Sequence, residues 1–428
     1  MSRMSKETDS PLSIKYFLSY AVAATVAVVA VVSLAYVTLP TLLSVSYSAN
    51  ILGATSSPNV VAAPYVQHLP TPKPLKAIYM SQCVAGTPSF RDSLVKFIDD
   101  TALNAVVIDI KDFSGGIAFP TENAILAGAV SDECGASDMK EFVERLHAKN
   151  IYVIGRITVF QDPHYTSVHP EQAVQKKSGG VWKDHKGLAF VDVGAKPFWD
   201  YMVELGKESY ELGFDELNFD YIRFPSDGNM AEADYTWSAG KSKAQALEEF
   251  YKYLTENLRS PSISSGQVPV LSADLFGYVT VHQDDLGIGQ VLERGLPYFD
   301  YIYPMVYPSH YNNGFTGLAD VNSDPYKVVY TSLVGAVLRE VATTTRQPSF
   351  AFIPIASTSP QLYEKPVYSG KVIPWLQGFD YPVHYSPEMV SAQIEATNDA
   401  GIESYLFWDA ANKYTSLRSV LSATATVQ

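Results

Sequence analysis

The chain has 428 residues, of which 47% are hydrophobic and 12% aromatic, and its formal net charge is −14. A negative charge of this size excludes a nucleic-acid partner bound through clustered lysine and arginine side chains. The residues that follow position 74 are numerous enough for one large α/β domain.

The N-terminal segment has the composition of a membrane helix. Residues 16–72 contain no Asp, Glu, Lys or Arg, and they begin with an apolar run long enough to span a bilayer. Three positively charged residues precede the run: Arg3, Lys6 and Lys15. The positive-inside rule therefore predicts a cytoplasmic N-terminus over residues 1–15 and a single-pass transmembrane anchor over 16–39. The remainder would be extracytoplasmic, at a bacterial cell membrane. A cleaved signal peptide is the alternative, although no small-x-small cleavage site directly follows the run.

The segments on either side of the predicted domain have simple compositions. Residues 40–74 are rich in Ser, Ala, Pro and Val, which is typical of a flexible linker. Residues 422–428 are predicted to form a disordered tail. A single domain is therefore expected over residues 75–421.

Within that domain, β-rich runs alternate with helical stretches, as in a parallel sheet covered by helices. Strands are predicted at residues 77–82, 105–111, 151–160, 214–224, 268–276, 301–307, 372–379 and 404–409. Helices are predicted at residues 89–101, 138–149, 196–212, 241–258, 325–342 and 387–400. The order predicts a (β/α)8 TIM barrel. Residues 349–355 also resemble a strand, so the segment 343–371 is either the seventh strand or an insertion before it.

The sequence FDELNFDYIRFP at residues 214–225 is the most informative motif. Strand side chains alternate between two faces, so Glu216, Asn218 and Asp220 share one face, which we assign to the barrel interior. Asp220 is the last of these residues and therefore lies near the carboxyl-end mouth, where TIM-barrel enzymes place their catalytic groups. An amphipathic edge strand with a solvated acidic face is the alternative, but the apolar residues that follow Asp220 disfavour it.

Acids end several other predicted strands. Asp109 lies near the end of the second strand, with Asp112 in the loop beyond it, while Asp274 and Asp409 lie on the fifth and eighth strands. Glycoside hydrolysis needs two carboxyl groups at one mouth, one as acid and one as nucleophile or base. We therefore predict that Asp220 is the nucleophile or charge stabiliser and Asp274 the general acid/base.

A structural role for some of these charges is an equal alternative. Glu216, Asp109, Lys111 and Arg156 could form an ion-pair network inside the barrel. Lys111 could also act as a Schiff-base lysine, although pairing with an acid is the favoured interpretation.

The chain resembles a known family at this point. The motifs are KAIYMS, LNAVVIDIKDFSG, IYVIGRITVFQDP, GGVWKDHKGLAFVDV, LGFDELNFDYIRFPSDG, LSADLFG and IPWLQGFD. They resemble the bacterial putative glycosyl hydrolase domain of unknown function, a TIM-barrel family distantly similar to α-amylase-type glycosidases. The resemblance covers about residues 75–414. It implies that Asp220 is the nucleophile. The acid of α-amylases is a strand-five glutamate, whereas this chain has Asp274 there, so the resemblance does not assign the proton donor.

A sugar-binding lining is predicted around the two acids, because aromatic faces with short polar groups are common in carbohydrate clefts. Trp182 is predicted to be exposed in the loop after the third strand, and Arg223 to bond an acid at the mouth. The full set of predicted substrate-binding residues is Asp109, Asp112, Arg156, Trp182, Glu216, Asn218, Arg223, Tyr307, Trp375, Gln377, Trp408 and Asp409.

The cysteines and histidines give weaker signals. Cys83 and Cys134 both lie toward the predicted mouth and either form a disulfide or remain as two buried thiols. No HExxH or comparable histidine spacing indicates a metal, and no cofactor motif is present.

The sequence thus predicts an extracytoplasmic glycoside hydrolase acting on a cell-wall or surface polysaccharide or oligosaccharide. A non-catalytic carbohydrate-binding barrel at the cell surface is the alternative. An esterase or deacetylase is a third option, but it requires a serine–histidine pair or a metal that the sequence does not indicate.

Overall fold

The computed structural model describes residues 66–259, 266–345 and 370–425. Eight parallel strands close into a barrel, in which each strand pairs with its neighbours in sequence and the eighth pairs with the first. The strands are β1 Lys76–Met80, β2 Ala105–Lys111, β3 Tyr152–Thr158, β4 Glu216–Asp220, β5 Val270–Phe276, β6 Tyr301–Met305, β7 Trp375–Gln377 and β8 Tyr405–Trp408. The predicted (β/α)8 TIM barrel is confirmed.

Helices lie between the strands. They are α1 Gln82–Ala85, α2 Pro88–Asp99, α3 Met139–His147, α4 Pro163–Val168, α5 Lys196–Leu212, α6 Lys243–Leu258, α7 Leu292–Gly295, α8 Pro325–Thr345, α9 Pro387–Asp399 and α10 Thr415–Ala425. A small antiparallel sheet joins Gln175–Lys176 in the loop after β3 to Ala233–Asp234 in the loop after β4. This sheet ties together two of the loops at the carboxyl end of the barrel.

Local sequence signals explain several of the helix ends. Ser242 and Gln245 form a reciprocal capping box that begins α6. Gly213 follows α5 with φ 128°, a backbone conformation that side chains other than glycine rarely adopt. These two ends agree with the predicted helix bounds to within two residues.

The hydrophobic core has two parts, as expected of a barrel wrapped in helices. Alternate strand residues such as Leu217 and Phe219 belong to the larger part, together with apolar side chains of the helices. The intervening residues face the barrel interior, where Tyr303 and Trp375 are fully buried. Gly155 on β3 is needed for close packing, because a Cβ atom there would lie 2.1 Å from Ile110 Cδ1.

Some element bounds differ from the predictions. The fourth strand ends at Asp220 rather than at residue 224, because Tyr221 has φ 50° and leaves the extended conformation. The seventh barrel position is occupied by Trp375–Gln377, and residues 349–355 lie outside the described residues. Thr415–Ala425 was not predicted as a helix, and it includes the first four residues of the segment predicted to be a disordered tail.

The end of the predicted flexible linker packs on the barrel. The Leu69 amide donates to Asp215 Oδ1 at 2.6 Å, and Thr71 Oγ1 lies 3.0 Å from the Tyr152 hydroxyl. The linker prediction is therefore wrong for this portion, since residues 66–74 have an ordered place against the domain.

The predicted cytoplasmic segment (1–15) and transmembrane anchor (16–39) lie outside the described residues. Among the helices of residues 66–259, 266–345 and 370–425, none combines the length and apolar character needed to cross a bilayer.

A disulfide joins Cys83 on α1 to Cys134 in the loop after β2, with their Cα atoms 4.4 Å apart. The bond connects two segments that are 51 residues apart in sequence, both of which follow barrel strands at the carboxyl end.

Candidate active site

Strand register brings the two predicted catalytic acids to the same level of the barrel. Asn218 on β4 is paired with Ser272 on β5. Asp220 and Asp274 each lie two residues farther along their strands, on the same face as this pair. Because both strands are parallel, the two carboxyl groups are neighbours at the carboxyl-end mouth.

Arg156 on β3 connects the acids of three strands. Its Nη1 lies 2.6 Å from Asp109 Oδ1, and its Nε lies 3.2 Å from Asp220 Oδ2, which also accepts a hydrogen bond from Nη2. Nε is 3.8 Å from Asp274 Oδ2. Three buried acids thus surround a single guanidinium group. Because only one positive charge is available to them, ionisation of all three at the same time is unfavourable.

The shared contact with Nε limits the distance between the candidate catalytic oxygens. Oδ2 of Asp220 and Oδ2 of Asp274 can be at most about 7 Å apart, since both distances are measured from one atom. This limit is compatible with the separation of about 5–5.5 Å in retaining glycosidases and with the lower end of the inverting range.

Asp274 is the acid that the site favours in the protonated form. Its complete burial and the nearby charge of Asp220 raise its pKa well above the ordinary value, and Arg156 opposes this shift. Asn218 Nδ2 and Trp375 Nε1 both donate to Asp274 Oδ1, each at 2.9 Å. Because Oδ1 accepts two hydrogen bonds, a proton on Asp274 is best placed on Oδ2, the oxygen nearer Arg156 and Asp220.

The backbone next to Asp220 helps to orient its carboxylate. Tyr221 adopts φ 50°, which is unusual for a bulky residue, and its amide donates to Asp220 Oδ1 at 2.6 Å. Oδ2 is held by Arg156, so both carboxylate oxygens have fixed positions.

Asp109 occupies the opposite side of Arg156, and burial raises its pKa. Tyr79 on β1 donates to Asp109 Oδ2 at 2.5 Å, and its ring stacks on Trp408 with centroids 3.8 Å apart. Sequence reasoning did not identify Tyr79. The available signal was that Tyr79 shares the inward face of β1 with Ala77. Apolar residues that fill the barrel interior follow the same alternation, so this signal does not distinguish them.

Glu216 lies deeper in the barrel than the mouth. Its carboxyl group accepts hydrogen bonds from the hydroxyls of Ser272 and Tyr303 at 2.6 Å, and of Tyr152 at 3.1 Å. Burial raises its pKa to about 7, against the opposing effect of these donors. Glu216 was predicted to bind substrate, and the structure instead engages its carboxyl group with three hydroxyl groups of the barrel interior, four residues before Asp220 on the same strand.

The predicted ion-pair network forms only in part. Arg156 does pair with Asp109, but Lys111 is fully buried and pairs with Asp162 at 2.9 Å. Lys111 Nζ also donates to the Thr158 carbonyl. Because its amine is fully buried and held by Asp162 and the Thr158 carbonyl, it is not accessible to a substrate carbonyl, and Lys111 is a structural residue.

A groove of about 700 Å³ lies at the loops that follow β6, β7 and β8, and one side chain connects it to the cluster around Arg156. Trp408 forms the connection, because it lines the groove while its ring lies 4.9 Å from the Arg156 guanidinium carbon and 5.7 Å from the Trp375 ring. The groove is also lined by His310, Phe379, Asp380, Tyr381, His384, Asp409 and Lys413.

Two predicted substrate-binding residues have other roles in the structure. Trp182 is only 1% exposed, and its indole donates to the Asn229 carbonyl at 2.9 Å, so it is a core residue rather than an exposed platform. Arg223 donates to the Phe224 carbonyl and to Ser226 Oγ rather than to an acid at the mouth.

Three further predicted residues support loops. Gln377 donates to the carbonyls of Phe379 and Tyr381. Asp409 accepts hydrogen bonds from the backbone amides of residues 411, 413 and 414. Asp112 accepts from the Ser114 amide and hydroxyl in the loop after β2. Tyr307, in contrast, is buried near both candidate acids, whose charges reinforce the effect of burial in raising its pKa.

Across the described ranges, no group of three or more His, Cys, Asp or Glu side chains has the arrangement of a metal site. The mouth itself brings together the carboxyl groups of Asp109, Asp220 and Asp274 around Arg156.

Comparison with known families assigns the chain to one of them. The sequence profile described as "Putative glycosyl hydrolase domain" matches residues 77–414. The chain belongs to this family. The resemblance stated from the sequence motifs is thereby confirmed, and with it the assignment to glycosidase-type hydrolases. No curated protein matches the chain.

Two solved structures with TM-scores above 0.5 share the fold of this chain. The PgaB (BpsB) glycoside hydrolase domain from Bordetella bronchiseptica is 14% identical, with a TM-score of 0.56, and the match covers 81% of this chain and 98% of that one. Alpha-L-fucosidase isoenzyme 2 from Paenibacillus thiaminolyticus is 10% identical, with a TM-score of 0.52 and coverage of 82% and 49%. A hypothetical protein from Ruminiclostridium thermocellum ATCC 27405 is 32% identical, covering 49% of this chain and 98% of that one, with a TM-score of 0.41.

Proposed function

We propose that this domain hydrolyses glycosidic bonds in a cell-wall or surface polysaccharide through Asp220 and Asp274. The observation that supports this proposal most strongly is the pair itself. Two acids from adjacent strands lie at the barrel mouth with their Oδ2 atoms at most about 7 Å apart, in different electrostatic settings. Different settings allow one carboxyl group to donate a proton while the other stays charged.

In the proposed reaction, Asp274 is the general acid. Its Oδ2 proton passes to the glycosidic oxygen as the bond from that oxygen to the anomeric carbon breaks. Asp220, ion-paired with Arg156, faces the positive charge that develops at the anomeric carbon. It then either forms the covalent ester that water hydrolyses, or it takes a proton from the attacking water.

Asn218, Trp375 and Arg156 position these two acids. The two donors on Asp274 Oδ1 fix which oxygen carries the proton, while Arg156 fixes Asp220 Oδ2. None of these three residues needs to touch the reacting atoms to affect the rate, since small displacements of catalytic groups are costly.

The test uses the soluble domain from residue 66 to residue 428, with Asp220→Asn and Asp274→Asn as isosteric controls. Each protein is incubated with a panel of bacterial cell-wall and extracellular polysaccharides, and new reducing ends are counted. Release by the wild-type domain, together with a loss of at least 10³-fold in each variant, is the expected result. Undiminished release by Asp220→Asn would eliminate the nucleophile assignment. The anomer formed first, followed by NMR, distinguishes the retaining from the inverting reaction.

A non-catalytic carbohydrate-binding barrel is a second candidate, and one observation favours it. Asp220 and Asp109 are both engaged by Arg156, as structural ion pairs would be. A domain of this kind would bind a glycan from the same panel equally well in the wild type and in Asp220→Asn, and neither protein would release reducing ends.

We also propose that the domain lies outside the cell membrane, tethered by residues 16–39. The Cys83–Cys134 disulfide supports this location, because such bonds persist in oxidising compartments and are rare in the cytosol. Protease added to intact, wall-free cells is expected to digest the domain. Digestion only after the cells are lysed would contradict the proposed location.

A further inference from the structure

A row of aromatic side chains leads from the two acids into the groove. Tyr307 is buried where the charges of both acids act on it, and Phe379 contacts it edge-on with ring centroids 5.6 Å apart. His310 lies between Tyr307 and the outermost residue, Tyr381, at ring distances of 5.3 and 6.4 Å. Tyr381 is 59% exposed, so the row runs from the buried acids to open solvent.

Trp408 at the end of β8 also lines the groove, and its ring lies 4.9 Å from the Arg156 guanidinium carbon. The apolar C–H faces of sugar rings pack well against aromatic rings, and pockets that bind small molecules are typically lined in this way. The volume of about 700 Å³ is several times what one sugar ring occupies, and the exposed outer end does not close the groove.

The charged groups of the groove are largely used within the protein. Asp380 Oδ2 lies 3.0 Å from His384 Nδ1, and Asp409 accepts three backbone hydrogen bonds. In the part of the chain that the structure describes, Lys413 is the one lysine or arginine that lines the groove. A polymer with a carboxylate or sulfate on each repeat would need several cations here, and the overall charge of −14 would repel it.

We propose that this groove binds several consecutive units of an uncharged polysaccharide, so that the domain cleaves internal rather than terminal bonds. This inference rests on the hydrolytic function proposed above. Tyr381 and Phe379 are the packing surfaces, Trp408 links them to the bond that is cleaved, and the open outer end lets the polymer continue into solvent.

The experiment measures both binding and product length. Tyr381→Ala is prepared in the wild-type domain and in Asp220→Asn, and Leu338→Ala is the control, since Leu338 is a comparably exposed apolar residue (51%) on α8 that does not line the groove. The probes are soluble galactomannan, xyloglucan and mixed-linkage glucan as uncharged polymers, and alginate and polygalacturonate as anionic ones. Binding is measured in the Asp220→Asn background, where hydrolysis does not consume the ligand.

The expected result is preference for one uncharged polymer and about tenfold weaker binding after Tyr381→Ala, with no change after Leu338→Ala. The wild-type domain should release mixed oligosaccharides before any monosaccharide. Equal binding by Tyr381→Ala, monosaccharide as the first product, binding restricted to the anionic polymers, or no binding to any uncharged polymer would each overturn the inference. Tyr381-dependent binding without released reducing ends would support the groove and reject only the hydrolytic function.

Discussion

The Arg156 guanidinium holds Asp220 Oδ2 through two nitrogens, Nε at 3.2 Å and Nη2. Its remaining nitrogen, Nη1, holds Asp109 at 2.6 Å. A planar guanidinium provides this forked geometry, whereas a lysine ammonium is a point charge that would contact fewer of the acids. The orientation of the candidate nucleophile therefore depends on an arginine two strands away from the candidate acid.

Arg156→Lys should separate positioning from charge. We expect the variant to fold and to lose about 10²-fold in kcat, because Asp220 would no longer be fixed within a fraction of an ångström. Arg156→Met leaves buried carboxylates without a cation and should lower the free energy of unfolding by about 3–5 kcal/mol. Steady-state kinetics and urea unfolding test both statements. Wild-type kcat in Arg156→Lys would show that Arg156 has only a structural role.

The pH dependence of hydrolysis should report on Asp274. As the general acid it must be protonated, so activity is expected to fall as pH rises through its pKa, which burial and the charge of Asp220 raise. The Trp375 indole donates to Asp274 Oδ1 and stabilises the charged form. Trp375→Phe removes this donor, so the pKa of Asp274 should rise further and the alkaline limb should move to higher pH.

A matched control for this change is Trp199→Phe. The Trp199 indole also donates a buried hydrogen bond, to the Val193 carbonyl at 2.7 Å, but on α5 away from the acids. This variant should lose stability without moving the alkaline limb. A limb that stays in place or moves to lower pH in Trp375→Phe would contradict the assignment of Asp274 as the proton donor.

The barrel was predictable because its signals are local. Alternating apolar residues, helix caps such as Ser242 and glycines such as Gly213 appear within short stretches of sequence. The adjacency of Asp220 and Asp274 also followed, since inward residues at the carboxyl ends of neighbouring parallel strands must meet.

The remaining features depend on contacts between distant segments. Trp182 is buried because the loop after β4 supplies the Asn229 carbonyl that its indole bonds, 47 residues away. The inward face of Glu216 was correctly predicted, but its partners were not, because the hydroxyls of Tyr152 and Tyr303 come from other strands. Periodicity alone does not indicate which loop will cover a tryptophan or which side chains will bond an inward acid.

The disulfide provides a test of stability at the mouth. It closes a segment of 51 residues, for which the chain-entropy relation gives a contribution of about 4 kcal/mol. The double variant Cys83→Ser/Cys134→Ser should therefore unfold at lower urea concentration than the oxidised wild type, by about 2–4 kcal/mol in the free energy of unfolding. Adding dithiothreitol should bring the wild type to the level of the variant and leave the variant unchanged. Identical midpoints in all four samples would mean that the bond does not form in solution.

Glu216 should make the stability of the barrel depend on pH. Its pKa in the folded state is about 7 against an ordinary value of 4.5, and burial is the main cause. The folded state therefore favours the protonated form. The contribution of protonated Glu216 to the free energy of unfolding is fully present below pH 4.5. It is lost as pH rises through about 7, and the total loss is about 3 kcal/mol.

Glu216→Gln is neutral at every pH and can retain the hydrogen bonds from Ser272 and Tyr303 through its amide oxygen. Relative to the wild type, the variant should gain about 3 kcal/mol in the free energy of unfolding between pH 4.5 and pH 8. Urea unfolding at several pH values measures this difference, and Glu122→Gln, at an exposed position, is the control. Parallel pH profiles for the wild type and Glu216→Gln would mean that Glu216 does not titrate in this range, and that the hydroxyls of Ser272, Tyr303 and Tyr152 suffice to keep the buried carboxylate charged.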